Sequence, residues 1–554
     1  MELSLRVPRA WTSKRSGLAA IVVVVVTLLA VPSASADPFA AAADSEQAVL
    51  DKGYDLETSR AWAEAVQHYD AATRSYPASQ SIYQRLLISR LHYDVNRRYD
   101  DHSFLQAVRD MPTSQALDLY GEILANLETH YVESVDWSRV LLHGTAALEV
   151  ALSEESFVNR MLPDTAPEAI ERFRQTAHRK LADRSTATRF DLRSNVSYLA
   201  AAAHAELGLA GTATVLEYVS GAVSTLDSYT RLLSGSQLDE MFNNIEGNFV
   251  GLGIELKPEE DALRVLAVIP GGPAAEAGMT AGEKIIRVES SRTDAVNPDY
   301  AADLLRGPEG SFVSLTLVDR EGVPRDLQVQ RRRVEVPCVE NVHIVDPVNG
   351  VGYLRLTNFQ KTTQRDIDTA LWSLHRQGMR SLILDVRGNP GGLLTAAVEV
   401  ADRFISEGYI VKTRGRNVRE NFDYSAKRAN TWSVPLVVLI DGDSASASEI
   451  FAGAISDSKR GTLIGETSFG KGSVQGIFRM RSAKFGLCLT TAKFYSPADH
   501  PISRVGVKPH IPVQSDYIAA RPDDEGNLIP EESDLVLQTG LRQLTQHRRI
   551  SQRP

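Results

Sequence analysis

The chain has 554 residues, a formal net charge of -10 and 43 % hydrophobic residues. That length accommodates three or four domains with sizeable cores. No block of basic residues marks a nucleic-acid surface, so the charge speaks only for solubility.

The N-terminus reads as a targeting segment. Arg6, Arg9, Lys14 and Arg15 precede an apolar run from Gly17 to Val31, which is 15 residues long and short for a membrane span. Pro32 and the small-x-small site Ala34-Ser35-Ala36 follow. Residues 1–36 are expected to be an export signal cleaved before Asp37, the alternative being an uncleaved anchor. Export to a periplasmic or other extracytoplasmic compartment is expected either way, with membrane association left open.

Residues 37–110 read as helical. Gly53, Ala65, Tyr69, Ala72 and Pro77 fall at the positions of small, aromatic and proline residues in a tetratricopeptide repeat. Two readings stand: a partner-docking module, or an ordinary helical hairpin. Residues 111–235 continue as helices. Ala116–Leu124 has helical apolar spacing. Residues 155–210 look like a helical insertion, and Leu226-Asp227-Ser228-Tyr229-Thr230-Arg231 closes the region.

From Phe249 the period changes to that of strands. Residues 236–335 are expected to form a β-rich module, with strand-like runs at Phe249–Leu256, Leu263–Val268, Glu283–Val288 and Phe312–Val318 and a helix at Tyr300–Leu305. The loop Gly251-Leu252-Gly253-Ile254 precedes a candidate edge strand. Its amides suit a peptide's terminal carboxylate, with the peptide adding as an extra strand; a glycine bulge in a small barrel is the plain alternative.

Residues 336–515 alternate strands and helices, which argues for an α/β core. Ser381–Val386 and Val434–Ile440 are its buried strands, with helices at Thr363–Gln377 and Leu394–Phe404. The segment 516–554 reads as a polar tail with one short amphipathic stretch, Leu535–Leu544.

The chemistry gathers in that α/β region. Ser446 sits in Asp443-Ser444-Ala445-Ser446-Ala447-Ser448-Glu449, between a strand and a helix, where a hydroxyl is exposed near helix amides. Serine needs a base to act as a nucleophile. No histidine has an obvious role, whereas Lys471 in Phe469-Gly470-Lys471-Gly472 is a candidate desolvated amine whose pKa burial would lower. The plain reading of Ser446 is a helix N-cap. Gln475 lies four residues after Lys471 and would share its face on a strand of period two; a surface glutamine is the alternative. Arg387-Gly388-Asn389-Pro390-Gly391-Gly392 joins a strand to a helix, so Gly391 or Gly392, together with the Ala447 amide, is a candidate oxyanion site.

These motifs resemble the carboxy-terminal processing peptidases, or tail-specific proteases, from about Leu226 to Val513. They include Leu384–Gly392, the Ser446 segment, Gly465–Gln475 and Gly506–Ile511. The resemblance implies a crotonase-like protease core of ββα superhelical turns with an inserted PDZ domain. It implies a Ser446 nucleophile, a Lys471 general base, Gln475 positioning the lysine, and Asp457 where some members have a supporting aspartate. It implies an endopeptidase acting near protein C-termini whose PDZ domain captures apolar tails, with an adaptor or self-association through the N-terminal helices as further partners. A catalytically silent scaffold binding protein C-termini is the alternative. The longer helical region and the Tyr495–His500 loop depart from the family pattern. Two cysteines, Cys338 and Cys488, exclude a disulfide scaffold; one bridge or two buried thiols both fit. No metal-ligand spacing is present and no cofactor is expected.

Overall fold

A computed structural model describes residues 45–224, 226–259, 262–293, 305, 307–319, 321–427, 431–514 and 534–551. The expected export signal lies outside these residues, as does the helix at Tyr300–Leu305 apart from Leu305. Residues 248–336 form one compact unit, and the chain before and after them forms the other.

The larger unit opens with helices α1 (Glu46–Thr58), α2 (Trp62–Ser75) and α3 (Gln80–Asp100). Val49, Ala65, Tyr69, Ile82 and Leu86 form a small core of their own. Gly53 lets α1 close on α2: an added Cβ would lie 2.1 Å from the Tyr69 ring. The repeat-like spacing of Gly53, Ala65 and Tyr69 thus records helix-pair packing.

Helices α4 (His102–Asp110), α5 (Thr113–His130), α6 (Trp137–Ala151), α7 (Glu155–Met161), α8 (Pro167–Leu181), α9 (Arg189–Leu207) and α10 (Gly211–Ser224) build the largest core. Phe157, Phe173 and Leu192 lie in it, so the stretch 155–210 is part of that core. So do Phe485, Leu487 and Leu489 from far along the chain. Strand β1 (Arg231–Leu233) follows, then α11 (Gly235–Glu246). Helix α11 stays with this unit: Ser234 Oγ donates to Asp101 Oδ2 at 2.6 Å and caps α11. The β-rich unit therefore starts at Asn248 and not at 236.

That unit comprises β2 (Asn248–Gly251), β3 (Ile254–Pro258), β4 (Leu263–Val268), the short α12 (Pro273–Glu276), β5 (Lys284–Val288), β6 (Ser291–Arg292), β7 (Phe312–Val318), β8 (Pro324–Gln330) and β9 (Arg332–Glu335). Its main sheet has the order β3-β4-β5-β7-β8, which leaves β3 at an edge. The Gly251–Ile254 loop feeds that edge. Gly253 has φ +77°, a region that favours glycine, and its carbonyl accepts from Ile269 N–H at 2.8 Å. Leu252 is buried, and its carbonyl accepts from Ala274 N–H at 2.8 Å.

The chain then returns to the larger unit with β10 (Val339–Asp346), β11 (Val351–Leu356), α13 (Thr363–Arg376), β12 (Ser381–Asp385), α14 (Leu394–Ala401), β13 (Tyr409–Arg414), β14 (Phe422–Ser425), β15 (Leu436–Ile440), α15 (Ala447–Asp457), β16 (Thr462–Gly465), β17 (Ser473–Arg479), β18 (Gly486–Tyr495), β19 (Ile511–Pro512) and α16 (Leu535–Ser551). One sheet runs β10-β11-β12-β15-β16-β19, parallel except at β10. A second joins β1, β17 and β13 to β18, with β14 beside β13.

The parallel strands are buried on both faces, which is why β12 and β15 read as continuous apolar runs. Leu382, Leu384, Val438 and Ile440 pack with residues of α13, α14 and α15. Ile383, Val437 and Leu439 face the other way and meet Val536, Leu537 and Leu544 of α16. The region expected to be a polar tail thus supplies the second cover of the central sheet. Close approach fixes the helix: a Cβ added at Gly540 would lie 3.3 Å from Ile383 Cδ1. Cys338 and Cys488 are both buried and unpaired with each other.

Candidate active site

Ser446 stands at the turn between β15 and α15 with φ +56° and ψ -110°. A non-glycine residue in such a region stores about 1–3 kcal/mol of strain, so its surroundings must hold it there. The neighbouring turn, 387–392, does so. Asn389 O accepts from Ala445 N–H at 3.0 Å and from Ser448 Oγ at 2.9 Å. Val386 O accepts from Ser444 Oγ at 2.8 Å. Ser448 and Ser444 are thus spent on tying the two turns, which leaves Ser446 as the half-buried hydroxyl of the Ser-Ala-Ser-Ala-Ser run.

Gly391 packs against the serine. A Cβ there would lie 2.8 Å from Ser446 Cβ and 2.9 Å from Ala447 N. Its own N–H is already committed, donating to Asn389 Oδ1 at 2.9 Å. Of the two glycines offered as an oxyanion donor, Gly391 is therefore the close-approach residue. Gly392 bridges Phe359 through the neighbouring groups, Phe359 N–H to Gly391 O and Leu393 N–H to Phe359 O, both 2.8 Å. Among the described residues the Gly392 N–H has no hydrogen-bond partner. Ala447 opens α15, where an N–H has no partner within the helix.

Glu449 is the residue the sequence reading passed over. It is fully buried, and its carboxylate gathers the site's two halves. Oε2 accepts from Ser446 N–H and from Lys471 N–H, each at 2.8 Å. Oε1 accepts from Ser468 Oγ and Gly470 N–H, each at 2.6 Å. One oxygen thus holds the backbones of Ser446 and Lys471 side by side. Burial pushes the Glu449 carboxyl upward, and these donors oppose that shift. The signal was present in the sequence: Ser446-x-x-Glu449 before an apolar run is a capping box.

The Lys471 amine is pushed below the usual lysine range by burial, and the Arg231 guanidinium pushes the same way. Cys488, Glu449 and Asp227 oppose. Nζ rests 5.0 Å from the centroid of the Tyr229 ring. Among the described residues no hydrogen bond joins it to Ser446 Oγ. What the structure brings together is the two backbones, through Glu449 Oε2.

Gln475 does not meet the lysine as the period-two argument expected. Lys471 precedes β17, which begins at Ser473, so strand alternation does not relate the two residues, and the bulge opposite Val474 and Gln475 lies on β18 at Thr491. Its Nε2 donates to Ser473 Oγ at 2.9 Å and reaches Thr490 Oγ1 at 3.5 Å. Thr490 Oγ1 in turn donates to Asp227 Oδ1 at 3.0 Å, and Asp227 also receives the N–H groups of Tyr229 and Thr230 at 2.8 Å. The motif Leu226–Arg231 thereby frames the lysine's pocket through Asp227 and Tyr229.

Asp457 lies at the far end of α15 from Ser446, about 16 Å along the axis at 1.5 Å per residue. Its carboxylate accepts from Ala498 N–H at 3.0 Å and faces His500 Nδ1 at 3.7 Å. It holds the Tyr495–His500 loop and has no contact with Ser446 or Lys471, so the supporting role does not hold.

The model of peptidase family S41 matches residues 350–513, and a PDZ-domain model matches residues 264–319. The chain is 37 % identical over 304 residues to a carboxy-terminal-processing protease of Bartonella bacilliformis, spanning 53 % of this chain and 68 % of the relative. It is 36 % identical over 332 residues to a carboxyl-terminal-processing protease of Picosynechococcus sp., spanning 59 % and 78 %. The carboxy-terminal processing protease CtpA of Bacillus subtilis is 31 % identical over 307 residues, spanning 55 % and 65 %. The chain belongs to the carboxy-terminal-processing protease family. It is an α/β serine-type peptidase that carries a PDZ domain, and its substrates are proteins or peptides. In this peptidase the matched protease region contains the two turns at 387–392 and 441–448 and the Lys471 loop.

Proposed function

We propose that this protein is an exported endopeptidase in which Ser446 is the nucleophile and Lys471 its general base. The observation that carries the reading is Glu449 Oε2, which receives the backbone N–H groups of Ser446 and Lys471 at 2.8 Å each. The backbones of the strained serine and of Lys471 are thereby adjacent. Burial holds this amine below the usual lysine range, and among the described residues no carboxylate is hydrogen-bonded to it, which favours the neutral form that can take a proton.

The chemistry follows from that placement. Nζ swings from the Tyr229 ring to Ser446 Oγ when substrate excludes water. Oγ attacks the scissile carbonyl as Nζ takes its proton, and the N–H groups of Gly392 and Ala447 bind the developing oxyanion. Nζ then delivers the proton to the leaving amine and abstracts one from the water that hydrolyses the acyl-enzyme. An oxyanion donor of this kind contributes about 10²–10³ in kcat. Gln475, through Ser473 and Thr490, orders the wall of the lysine pocket and does not bond the amine at rest.

The core is read as crotonase-like, on the strength of its strand–strand–helix alternation. The Gly251–Ile254 loop and the β3 edge suit capture of an apolar C-terminal tail by strand addition. The pattern of residues 1–36 supports export to a periplasmic or other extracytoplasmic compartment. The pair α1–α2 supports a docking or self-association role for the N-terminal helices.

The test is turnover of an unfolded protein with an apolar C-terminus. Ser446→Ala is expected to abolish cleavage while tail binding to the PDZ domain persists. Cleavage at the wild-type rate by that variant ends the assignment.

A further inference from the structure

The helix at the end of the chain reaches the active site through one buried carboxylate. Asp534 is 2 % exposed and precedes α16, accepting from Val536 N–H at 3.1 Å and Leu537 N–H at 3.0 Å. The same carboxylate grips Arg387 in a fork: Nη1 donates to Oδ1 at 2.9 Å and Nη2 to Oδ2 at 2.7 Å. Arg387 is itself 3 % exposed. It also donates to Asp385, which takes Nη2 at 2.6 Å and accepts from Tyr353 Oη at 2.8 Å.

Arg387 is the first residue of the turn that carries Gly391 and Gly392. From it the connections are short. Gly388 N–H donates to both oxygens of Asp441, at 3.0 and 2.9 Å. Asn389 Nδ2 donates to Leu356 O at 2.7 Å, Asn389 O receives Ala445 N–H, and Asn389 Oδ1 receives Gly391 N–H. The turn is thus pinned on one side by the serine segment and at its root by Arg387. Two carboxylates hold that root, one from the adjacent strand and one from the end of the chain.

We propose that Asp534 is a positioning residue for the oxyanion turn, acting through Arg387, so that the C-terminal helix completes the active site as well as covering the sheet. Arginine suits this use because its rigid fork can satisfy two carboxylates at once and fix its own direction. Losing one of the two frees the guanidinium to turn toward the other. The root of the 387–392 turn then shifts, and small displacements of catalytic groups lower the rate steeply. Substrate capture, which does not involve this turn, is untouched.

This inference rests on the assignment of Gly392 and Ala447 as oxyanion donors beside Ser446. The experiment uses the full chain and one peptide substrate, with Asp534→Asn, Arg387→Lys, the double variant and Ser446→Ala measured together. Asparagine still caps α16, so Asp534→Asn removes the ionic grip without removing the cap. With folding verified by circular dichroism and thermal melting, each single variant is expected to lose about tenfold to a hundredfold in kcat at unchanged KM. The double variant should lose no more than the worse single one, the mark of two residues acting as one unit. A folded Asp534→Asn enzyme with wild-type kcat overturns the proposal. So does a loss that only follows the unfolded fraction, or additive losses in the double variant, or failure of both single variants to fold, since each makes α16 a general stabiliser. If Ser446→Ala stays active, the site assignment itself has failed; if only that variant is dead, the positioning role alone has.

Discussion

Arg387 and Lys471 are two desolvated cations of the same unit, and their surroundings treat them in opposite ways. Burial alone would lower the pKa of both. At Arg387 the carboxylates of Asp385 and Asp534 override burial and raise it. Asp385 shows the converse, held below the usual carboxylate range by Arg387 in spite of its own burial. At Lys471 no carboxylate is hydrogen-bonded to the amine among the described residues, the nearest aromatic face is Tyr229, and Arg231 adds repulsion. The surroundings of one cation favour its charged form; those of the other favour its neutral form, as the proposed base requires. A buried charge without a partner is destabilising, and a protein retains one where its chemistry needs it.

Removing the base is the most severe way to break the contrast. Lys471→Met should reduce turnover by about 10⁴-fold or more, the scale of deleting a member of a nucleophile–base pair. It should also raise the melting temperature, because a methionine carries no desolvated amine. Wild-type stability with lost activity would leave the base assignment standing and refute the claim that burial of the amine is costly.

A second variant removes what both halves share. Glu449→Gln turns a carboxylate that accepts from four donors into an amide with one acceptor oxygen and a donor facing N–H groups. About 1–3 kcal/mol of stability should be lost in a urea melt, with a fall in kcat. An unchanged melt would show that the carboxylate does not organise the Ser446 and Lys471 backbones.

Arg231→Gln sharpens the comparison by deleting a repulsive cation. If Lys471 is the base, as proposed, the neutral amine is the active form and kcat/KM should rise as pH passes its pKa. Without Arg231 that pKa moves up, and the rising limb should shift to higher pH with little change in plateau. A shift toward lower pH contradicts the sign. Smallest of all, Asp457→Asn should leave kcat within about twofold while loosening the Tyr495–His500 loop, since the partners of this half-buried carboxylate lie in that loop and not at the Ser446 turn. Loss of activity there would restore the supporting role that the geometry removes.

Much of this was legible in the sequence because local chemistry dictated it. The apolar runs Leu382–Leu384 and Leu436–Ile440 announced strands buried on both faces. The strand–serine–helix order placed Ser446, and Gly470-Lys471-Gly472 marked a loop of close backbone approach. What escaped depended on contacts distant in sequence. The second face of the sheet required a cover, yet α16 lies beyond a polar stretch and only its Leu535–Leu544 periodicity hinted at it. Asp534 meets Arg387 across 147 positions, and no spacing rule reports that. Gln475 was misplaced because Lys471 lies before β17, where the period of two does not apply. Asp457 was placed by family pattern, although eleven residues of helix carry it away from Ser446.

The most direct test is the titration of Lys471 itself, followed by NMR of the protein carrying ¹³C at lysine Cε, with Lys471→Met assigning the resonance. The predicted midpoint lies below the value of about 10.4 for free lysine and coincides with the rising limb of kcat/KM. A midpoint at or above that value, in an enzyme that still cleaves its substrate near neutral pH, would contradict the role of Lys471 as the base for Ser446.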